Sequence, residues 1–339
     1  MHESIRRRRV LRGGKSSRLS SIASVDICGK GKTARIGGTK PMIQSVCRAT
    51  IIFASVCAQP CLAQTTPDKA LDIAEARLDR VADFTSAGSS FDKIFALDGS
   101  ATQPWKFKLA LPFTYNSNVS NAASTERGAF HTTPQIGLSH DWLAGKLKIG
   151  LSSVVDLDVH TRHRDTDGSD YSGTLSVRYG DPSKQVSPYG NYTILGIYNG
   201  QFGSRIVTTH GFVAGVSRQF DGKDSVFTLD LNAQRREATL ASTEQNRFTL
   251  SSAYRRYLND NHESYVFLGG RGQLIHYTGG TARGRDDQNL KISGGYNHKL
   301  TPDIAIELAA FAQKNWSDAA GKDYFVFDTG PSITLTSSF

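Results

Sequence analysis

From Trp105 to the end of the chain the sequence keeps a single period, and that period is two. Trp105, Phe107, Leu109, Leu111, Phe113 and Tyr115 alternate with Lys106, Lys108, Ala110, Pro112 and Thr114. Successive side chains on a strand point to opposite faces, so this alternation predicts strands with one apolar and one polar side. Twelve such runs can be read, near residues 105–117, 132–142, 146–159, 170–180, 188–199, 205–220, 225–234, 246–258, 263–277, 288–300, 303–316 and 323–339. Two are irregular. The run at 188–199 has no clean apolar parity, and the run at 263–277 is apolar on both faces around Gly269-Gly270.

The links sort the runs further. Leu143-Ala-Gly-Lys146, Gly180-Asp-Pro-Ser-Lys184, Asp221-Gly-Lys-Asp224, Asn259-Asp-Asn-His262 and Thr301-Pro302 are short, whereas 116–131, 160–169, 235–245 and 279–287 are mostly longer. Short turns on one side and longer loops on the other are expected of a membrane barrel with both termini at the same end. A soluble sandwich has no reason to sort its loops this way. Twelve is even, so the last strand can close on the first and leave no edge. The expected fold is all-β, an antiparallel transmembrane β-barrel of about twelve strands over 105–339.

The net charge of +9 would suggest nucleic acid until the charges are located. Residues 1–63 hold 12 Lys and Arg against Glu3 and Asp26, so the remainder is nearly neutral and no nucleic-acid partner is expected. All four cysteines, Cys28, Cys47, Cys57 and Cys61, lie in the same stretch, which removes disulfides and thiolate metal sites from the barrel. Met42 opens a segment with Arg48, an apolar run from Ala49 to Ala58 and small residues before Ala63. That is the pattern of a signal peptide over 42–63, with 1–41 a basic leader upstream of the true start or a disordered arm.

The C-terminal strand carries a more specific signature. Asp328, Gly330, Ile333, Leu335 and the terminal Phe339 follow the order polar-x-Gly-x-x-apolar-x-apolar and end on an aromatic. This resembles the closing strand of Gram-negative outer-membrane β-barrels. The resemblance implies outer-membrane lipid as surroundings, the cell outer membrane as location, and the barrel-assembly machinery as a partner that reads this strand. Trp105, Trp142, Tyr171, Tyr179, Tyr198, Tyr257, Tyr277, Tyr296, Trp316 and Tyr324 fall toward strand ends, where interfacial aromatic girdles are expected.

Between the signal peptide and the barrel, residues 64–104 are expected to form a periplasmic helix and linker. Thr66 and Pro67 provide a helix start, and Leu71, Ala74, Leu78 and Val81 recur at helical spacing until about Phe84. Three roles are open to this helix. It could lie against the periplasmic end of the barrel, plug the lumen, or associate with itself; a periplasmic partner through residues 67–84 is a further expectation.

Projecting the polar parity inward lines the lumen with Lys106, Lys108, Lys148, Arg178, Arg247, Arg255, Arg271, Lys291 and Lys299, against Asp156, Asp158, Asp230, Glu307 and Asp328. The excess of cations implies a porin-like channel for small polar solutes with a mildly anion-favouring lumen. The alternative interior is one whose charges pair and fill it. Tyr115-Asn-Ser-Asn-Val119 resembles the start of barrels in surface-lipoprotein and polysaccharide export systems, which implies a barrel that docks a separate periplasmic protein. A third reading is a lipid hydrolase. Gly295-Tyr-Asn-His298 resembles the start of the outer-membrane phospholipase motif, but Lys299-Leu300-Thr301 follows where the serine should stand.

Ser139-His140-Asp141 sits on one strand, so its members point to opposite faces and cannot form a triad. His160-Thr-Arg-His163 offers two imidazoles in a charged loop, and Asp165 with Asp167 offers two carboxylates near an outer rim. None of these completes a catalytic or metal set. No enzyme, cofactor or metal site is therefore expected from the sequence.

Overall fold

The structure, a computed structural model, describes residues 74–75, 77–78, 104–121 and 127–339. The basic leader, the signal peptide and the start of the helix at Thr66-Pro67 lie outside the described residues. Strand segments follow in chain order as β1 (Lys106–Asn116), β2 (Ala129–Thr132), β3 (Gln135–Ala144), β4 (Leu147–His160), β5 (Gly168–Tyr179), β6 (Ser187–Asn199) and β7 (Arg205–Asp221). They continue as β8 (Ser225–Ala238), β9 (Gln245–Tyr257), β10 (Ser264–Tyr277), β11 (Asp286–Lys299), β12 (Ile304–Ser317) and β13 (Tyr324–Ser338). Each pairs antiparallel with its neighbours, and β13 returns to β1, so the sheet closes on itself.

The segments β2 and β3 are one stave. His131 pairs with His160 and Gln135 with Asp156, which is a single register interrupted at Thr133-Pro134, where proline has no N–H to give the ladder. The barrel therefore has twelve strands, as expected. The register of β2–β3 against β4 is set at its other end by the two-residue turn Gly145-Lys146. Gly145 has φ 62, as a type II′ hairpin turn requires of its first central residue.

The barrel is inside out relative to a soluble protein. Leu111, Phe113, Leu250, Ile292 and Leu308 point outward and are about half exposed, from 45% to 56%. Asp156, Asp158, Asp170, Arg247, Arg271, Lys291 and Asp328 point inward and are buried. An apolar surface of this extent belongs in hydrocarbon, and a closed ladder leaves no backbone group unsatisfied there. No described helix is long and apolar enough to cross a membrane.

Trp142, Tyr171, Tyr179, Tyr296 and Trp316 stand exposed on the outer face. Trp105 stacks on His140 at 4.7 Å, and His140 lies edge-on to Trp142 at 4.5 Å. Three residues expected in the girdles are elsewhere: the register puts Tyr257, Tyr277 and Tyr324 on the inner face, where Tyr277 and Tyr324 are buried. Position near a strand end does not decide the face; register does.

One end of the barrel carries the links 145–146, 180–186, 222–224, 258–263 and 300–303, together with the start of β1 and the end of β13. The opposite, loop end carries 117–128, 161–167, 200–204, 239–244, 278–285 and 318–323. The two sets differ less than the sequence suggested. Strands β8 and β11 run further toward the loop end than their apolar parity, absorbing residues that read as loop, and 200–204 is shorter than 180–186.

The seam between β13 and β1 is tight. Pro112 pairs with Ser332 and Tyr115 with Thr329, and the ladder skips the residues between them, where Gly330 lies against β1. A Cβ on Gly330 would run into the Phe113 carbonyl oxygen and the Thr114 Cα, so only glycine lets the strands approach there.

Candidate functional site in the lumen

Alternation along each strand and the register between strands together fix the inner wall. The fourteen charged residues projected inward from the sequence, Lys106, Lys108, Lys148, Arg178, Asp230, Arg247, Arg255, Arg271, Lys291 and Glu307 together with Lys299, Asp156, Asp158 and Asp328, occupy inward register positions. Their arrangement is not that of a simple neutralised interior. Lys148 stands opposite Arg178, Arg271 opposite Lys291, and Asp156 opposite Asp170, each a like-charge pair directly across two strands. Such pairs are unfavourable unless water, a counter-ion or another charge reaches them.

Several of these charges do have partners. Lys148 Nζ lies 3.2 Å from Asp141. The Arg178 guanidinium bonds the Ser217 hydroxyl and lies 4.9 Å above the Tyr189 ring, whose hydroxyl donates to Asp230 at 2.9 Å. Arg255 lies 4.2 Å above Tyr265, and Lys291 lies 3.6 Å from the centre of Phe311. Part of the wall is also sorted by sign along the barrel, although Glu307 and Asp141 stand near the short turns and Arg247 near the loops. Lys106, Lys108, Lys148 and Arg178 belong to the short-turn end, and Asp156, Asp158, Asp170 and Asp328 to the loop end.

The described part of the N-terminal helix lies inside the barrel at the loop end, not against the end where β1 begins. Ala74 and Leu78 are buried against Leu195, Ile197 and Val207, an apolar patch on the inner wall of β6 and β7. Arg77 is 1% exposed, donates to the Tyr198 carbonyl at 2.7 Å and lies 3.5 Å from Asp170. Next to Tyr198 the β6–β7 register shifts, a bulge of the kind that re-aims backbone groups near sites. Gly168 faces Arg77, and a Cβ there would overlap the guanidinium. Glu75 bridges Arg285 at 3.1 Å and Lys322 at 3.0 Å, tying the helix to two loops. Burial opposes the charge on Arg285, but Tyr277, Glu75 and Asp287 more than restore it and raise its pKa.

Beside the helix, the inner wall of β2 and β4 holds a cluster that the sequence reading did not assemble. His131 Nδ1 is 3.2 Å from Asp158 Oδ1, and His160 Nε2 is 3.7 Å from the same oxygen. The far nitrogen of each ring also meets a carboxylate: His131 Nε2 is 3.2 Å from Asp328, and His160 Nδ1 is 3.2 Å from Asp167. The two rings stack at 5.2 Å. All of His131, Asp158 and His160 are buried.

Of the chemistry read from sequence, His160 belongs to this cluster but His163 does not. His163 adopts φ 60 in the loop and gives its carbonyl to Thr166. Asp167 joins as the partner of His160, whereas Asp165 pairs with Arg127 at 3.4 Å on the surface. Ser139 and Asp141 face inward and His140 outward, as strand geometry requires. His298 finds a serine after all, because Ser264 on β10 lies opposite it and the Ser264 hydroxyl is 2.7 Å from His298 Nδ1. A nucleophile and base alone are incomplete. Among the described residues nothing hydrogen-bonds the other ring nitrogen to orient it, as a triad needs.

In the C-terminal strand, Ile333, Leu335 and Phe339 stay on the outer side and Phe339 N donates to the Trp105 carbonyl at 3.0 Å. Asp328 turns inward and accepts from Asn116 at 3.1 Å as well as meeting His131. Gly330 makes the seam described above.

No family model and no curated protein matches the sequence. Among solved structures, an outer membrane channel from Pseudomonas putida F1 aligns with TM-score 0.48 and 9% identity, covering 70% of this chain and 97% of that one. The translocator domain of the autotransporter NalP from Neisseria meningitidis aligns with TM-score 0.41 and 10% identity over 78% of this chain and 97% of its own. LpxR from Salmonella typhimurium gives TM-score 0.40 and 9% identity over 68% and 99% of the two chains.

Proposed function

We propose that this protein is an outer-membrane, porin-like channel for small polar solutes, narrowed at the loop end by its own N-terminal segment. The observation that carries this reading is the set of like-charge pairs on the inner wall, Lys148 with Arg178 and Arg271 with Lys291. An interior built to be filled and dry would set opposite charges across the strands, whereas a lumen that holds water and passing ions tolerates and uses rings of one sign. The cationic set at the short-turn end favours anions there. With short turns in the periplasm and loops outside, that end is the periplasmic mouth.

The partner-docking reading stands second. Among residues 67–84, the described Ala74, Glu75, Arg77 and Leu78 are engaged with the barrel's inner wall and loops, which leaves those four no free face for another protein. The hydrolase reading rests on the Ser264 and His298 pair alone, without the third group.

The test is single-channel recording of the refolded protein in a planar bilayer under a salt gradient. Discrete conductance steps with an anion-favouring reversal potential are expected. A protein that inserts and stays electrically silent, even with Arg77 replaced by Ala, would exclude the channel.

A further inference from the structure

We propose that His131, Asp158 and His160 form a binding site for a divalent transition-metal ion of the zinc class, set in the inner wall at the loop end. The inference does not depend on the channel reading.

Three features carry it. The first is spacing. Zinc bonds to imidazole nitrogen and carboxylate oxygen are about 2.0–2.2 Å, so the ligand atoms of a tetrahedral site stand about 3.3–3.6 Å apart. His131 Nδ1 and His160 Nε2 are 3.2 Å and 3.7 Å from Asp158 Oδ1, and one atom from each of the three residues lies within 4.8 Å of the others.

The second feature is the surrounding shell. A metal-bound histidine characteristically gives its remaining N–H to a carboxylate, which fixes the tautomer and sharpens the ligand. Here both rings have a carboxylate at that nitrogen. Asp328 Oδ2 sits 3.2 Å from His131 Nε2 and Asp167 Oδ1 sits 3.2 Å from His160 Nδ1, with Asp167 further held by the His160 backbone N–H at 2.8 Å. Hydroxyls complete the shell, Thr114 at 2.7 Å from His131 Nε2 and Thr166 at 3.3 Å from His160 Nδ1.

The third is chemistry. Two imidazoles and one carboxylate suit zinc, nickel, cobalt or copper, not the all-oxygen cages of calcium and magnesium. Three protein ligands leave one position of a tetrahedron for water. Thr133 Oγ1 lies beside that cluster, 3.3 Å from Asp158 Oδ1 and 3.4 Å from His131 Nδ1.

The experiment equilibrates the full refolded chain in detergent with zinc chloride, or with cobalt chloride as a spectroscopic probe, and dialyses it against metal-free buffer. Wild type is expected to retain one equivalent, and the His131→Ala/His160→Ala double variant none. Asp328→Asn and Asp167→Asn should weaken binding by about 10- to 100-fold. His163→Ala and His276→Ala, outside the cluster, should bind as wild type does. Heat-modifiable gel mobility checks that each variant folds. X-ray absorption on zinc-loaded wild type gives a reading free of any mutant, with two imidazoles in the coordination shell expected. The proposal is overturned if wild type retains no ion, if the double variant retains it equally, or if the spectrum lacks the imidazole pair. The cluster would then be an ion-paired brace between β2 and β4.

Discussion

His131 and His160 stand directly opposite each other on adjacent strands, their rings stacked at 5.2 Å and inclined by 14°. Nothing near either residue in the chain brings them together. The hairpin does, because Ala144 pairs with Leu147 across Gly145-Lys146 and the same register resumes beyond the interruption at Thr133-Pro134 to the other end of the strand pair. A two-residue turn at the short-turn end thus positions a buried polar cluster at the loop end, next to the segment that lies in the lumen.

Lys106 and Lys108 face inward near the short-turn mouth. Replacing both by Glu reverses four units of charge at that mouth, and the reversal potential under a salt gradient should move toward cation preference. An unchanged potential would mean that permeating ions do not pass them.

Arg77 ties the described helical residues to the inner wall through Tyr198 and Asp170. Removing one partner of a buried, bonded charge pair typically costs about 3–5 kcal/mol, and burial of a leucine such as Leu78 contributes about 1.5–3 kcal/mol. Arg77→Ala should therefore release the segment for a larger share of the time. The expected readout is larger or more frequent conductance steps in the variant, and identical traces would place the constriction elsewhere.

Leu250 and Ser251 are neighbours on β9 with opposite faces, Leu250 half exposed on the outside and Ser251 inward against Asp230 and Arg271. An arginine on the lipid face near the bilayer midplane costs about 2–4 kcal/mol. Leu250→Arg should lose that much in urea unfolding from lipid vesicles, and Ser251→Arg distinctly less. Equal losses would argue against a lipid-facing outer surface.

Asp181, in the turn after β5, links stability to pH. Burial would raise its pKa, but hydrogen bonds from the Ser183 hydroxyl and backbone N–H, and from Lys184, outweigh that and lower it. A depressed carboxyl stabilises the fold fully above the ordinary aspartate pKa of about 3.9, and that contribution is lost as pH falls through the lower folded value. Asp181→Ala should thus lower the urea midpoint at neutral pH and match wild type in strong acid. A difference that persists in acid would locate the effect in the backbone of the turn.

The barrel was legible because lipid and water sort side chains residue by residue, so the alternation of Trp105 to Tyr115 declares a strand without any knowledge of its neighbours. Which residues meet across strands is a matter of register, and the sequence carries that less openly. The Gly145-Lys146 turn held the information that pairs His131 with His160, yet proximity along the chain pointed to His163 instead. The stripe of Ala74 and Leu78 announced a helix, but its destination depended on Leu195, Ile197 and Val207, whose inward parity gives no sign of a docking patch until the wall is closed. Tyr277 and Tyr324 were misassigned for the same reason, since a strand end says nothing about which side a ring will take.

A closed sheet has no edge, yet this one has a place where it would come apart first. At the seam of β1 and β13, Pro112 and Pro331 contribute no amide hydrogens, and the ladder lapses around Gly330, where the backbones press together without side chains between them. The other joints are knit by longer runs of pairs, β6–β7 up to its bulge at Tyr198, except where β1 meets the stave broken at Pro134, in runs of five and four. Both joints of β1 are thus interrupted, the one with β13 around Gly330 and the one with β2 and β3 between Ala110 and Phe113, so unzipping by heat or by a pulling force is expected to start at β1, with the remaining staves peeling away as one ribbon.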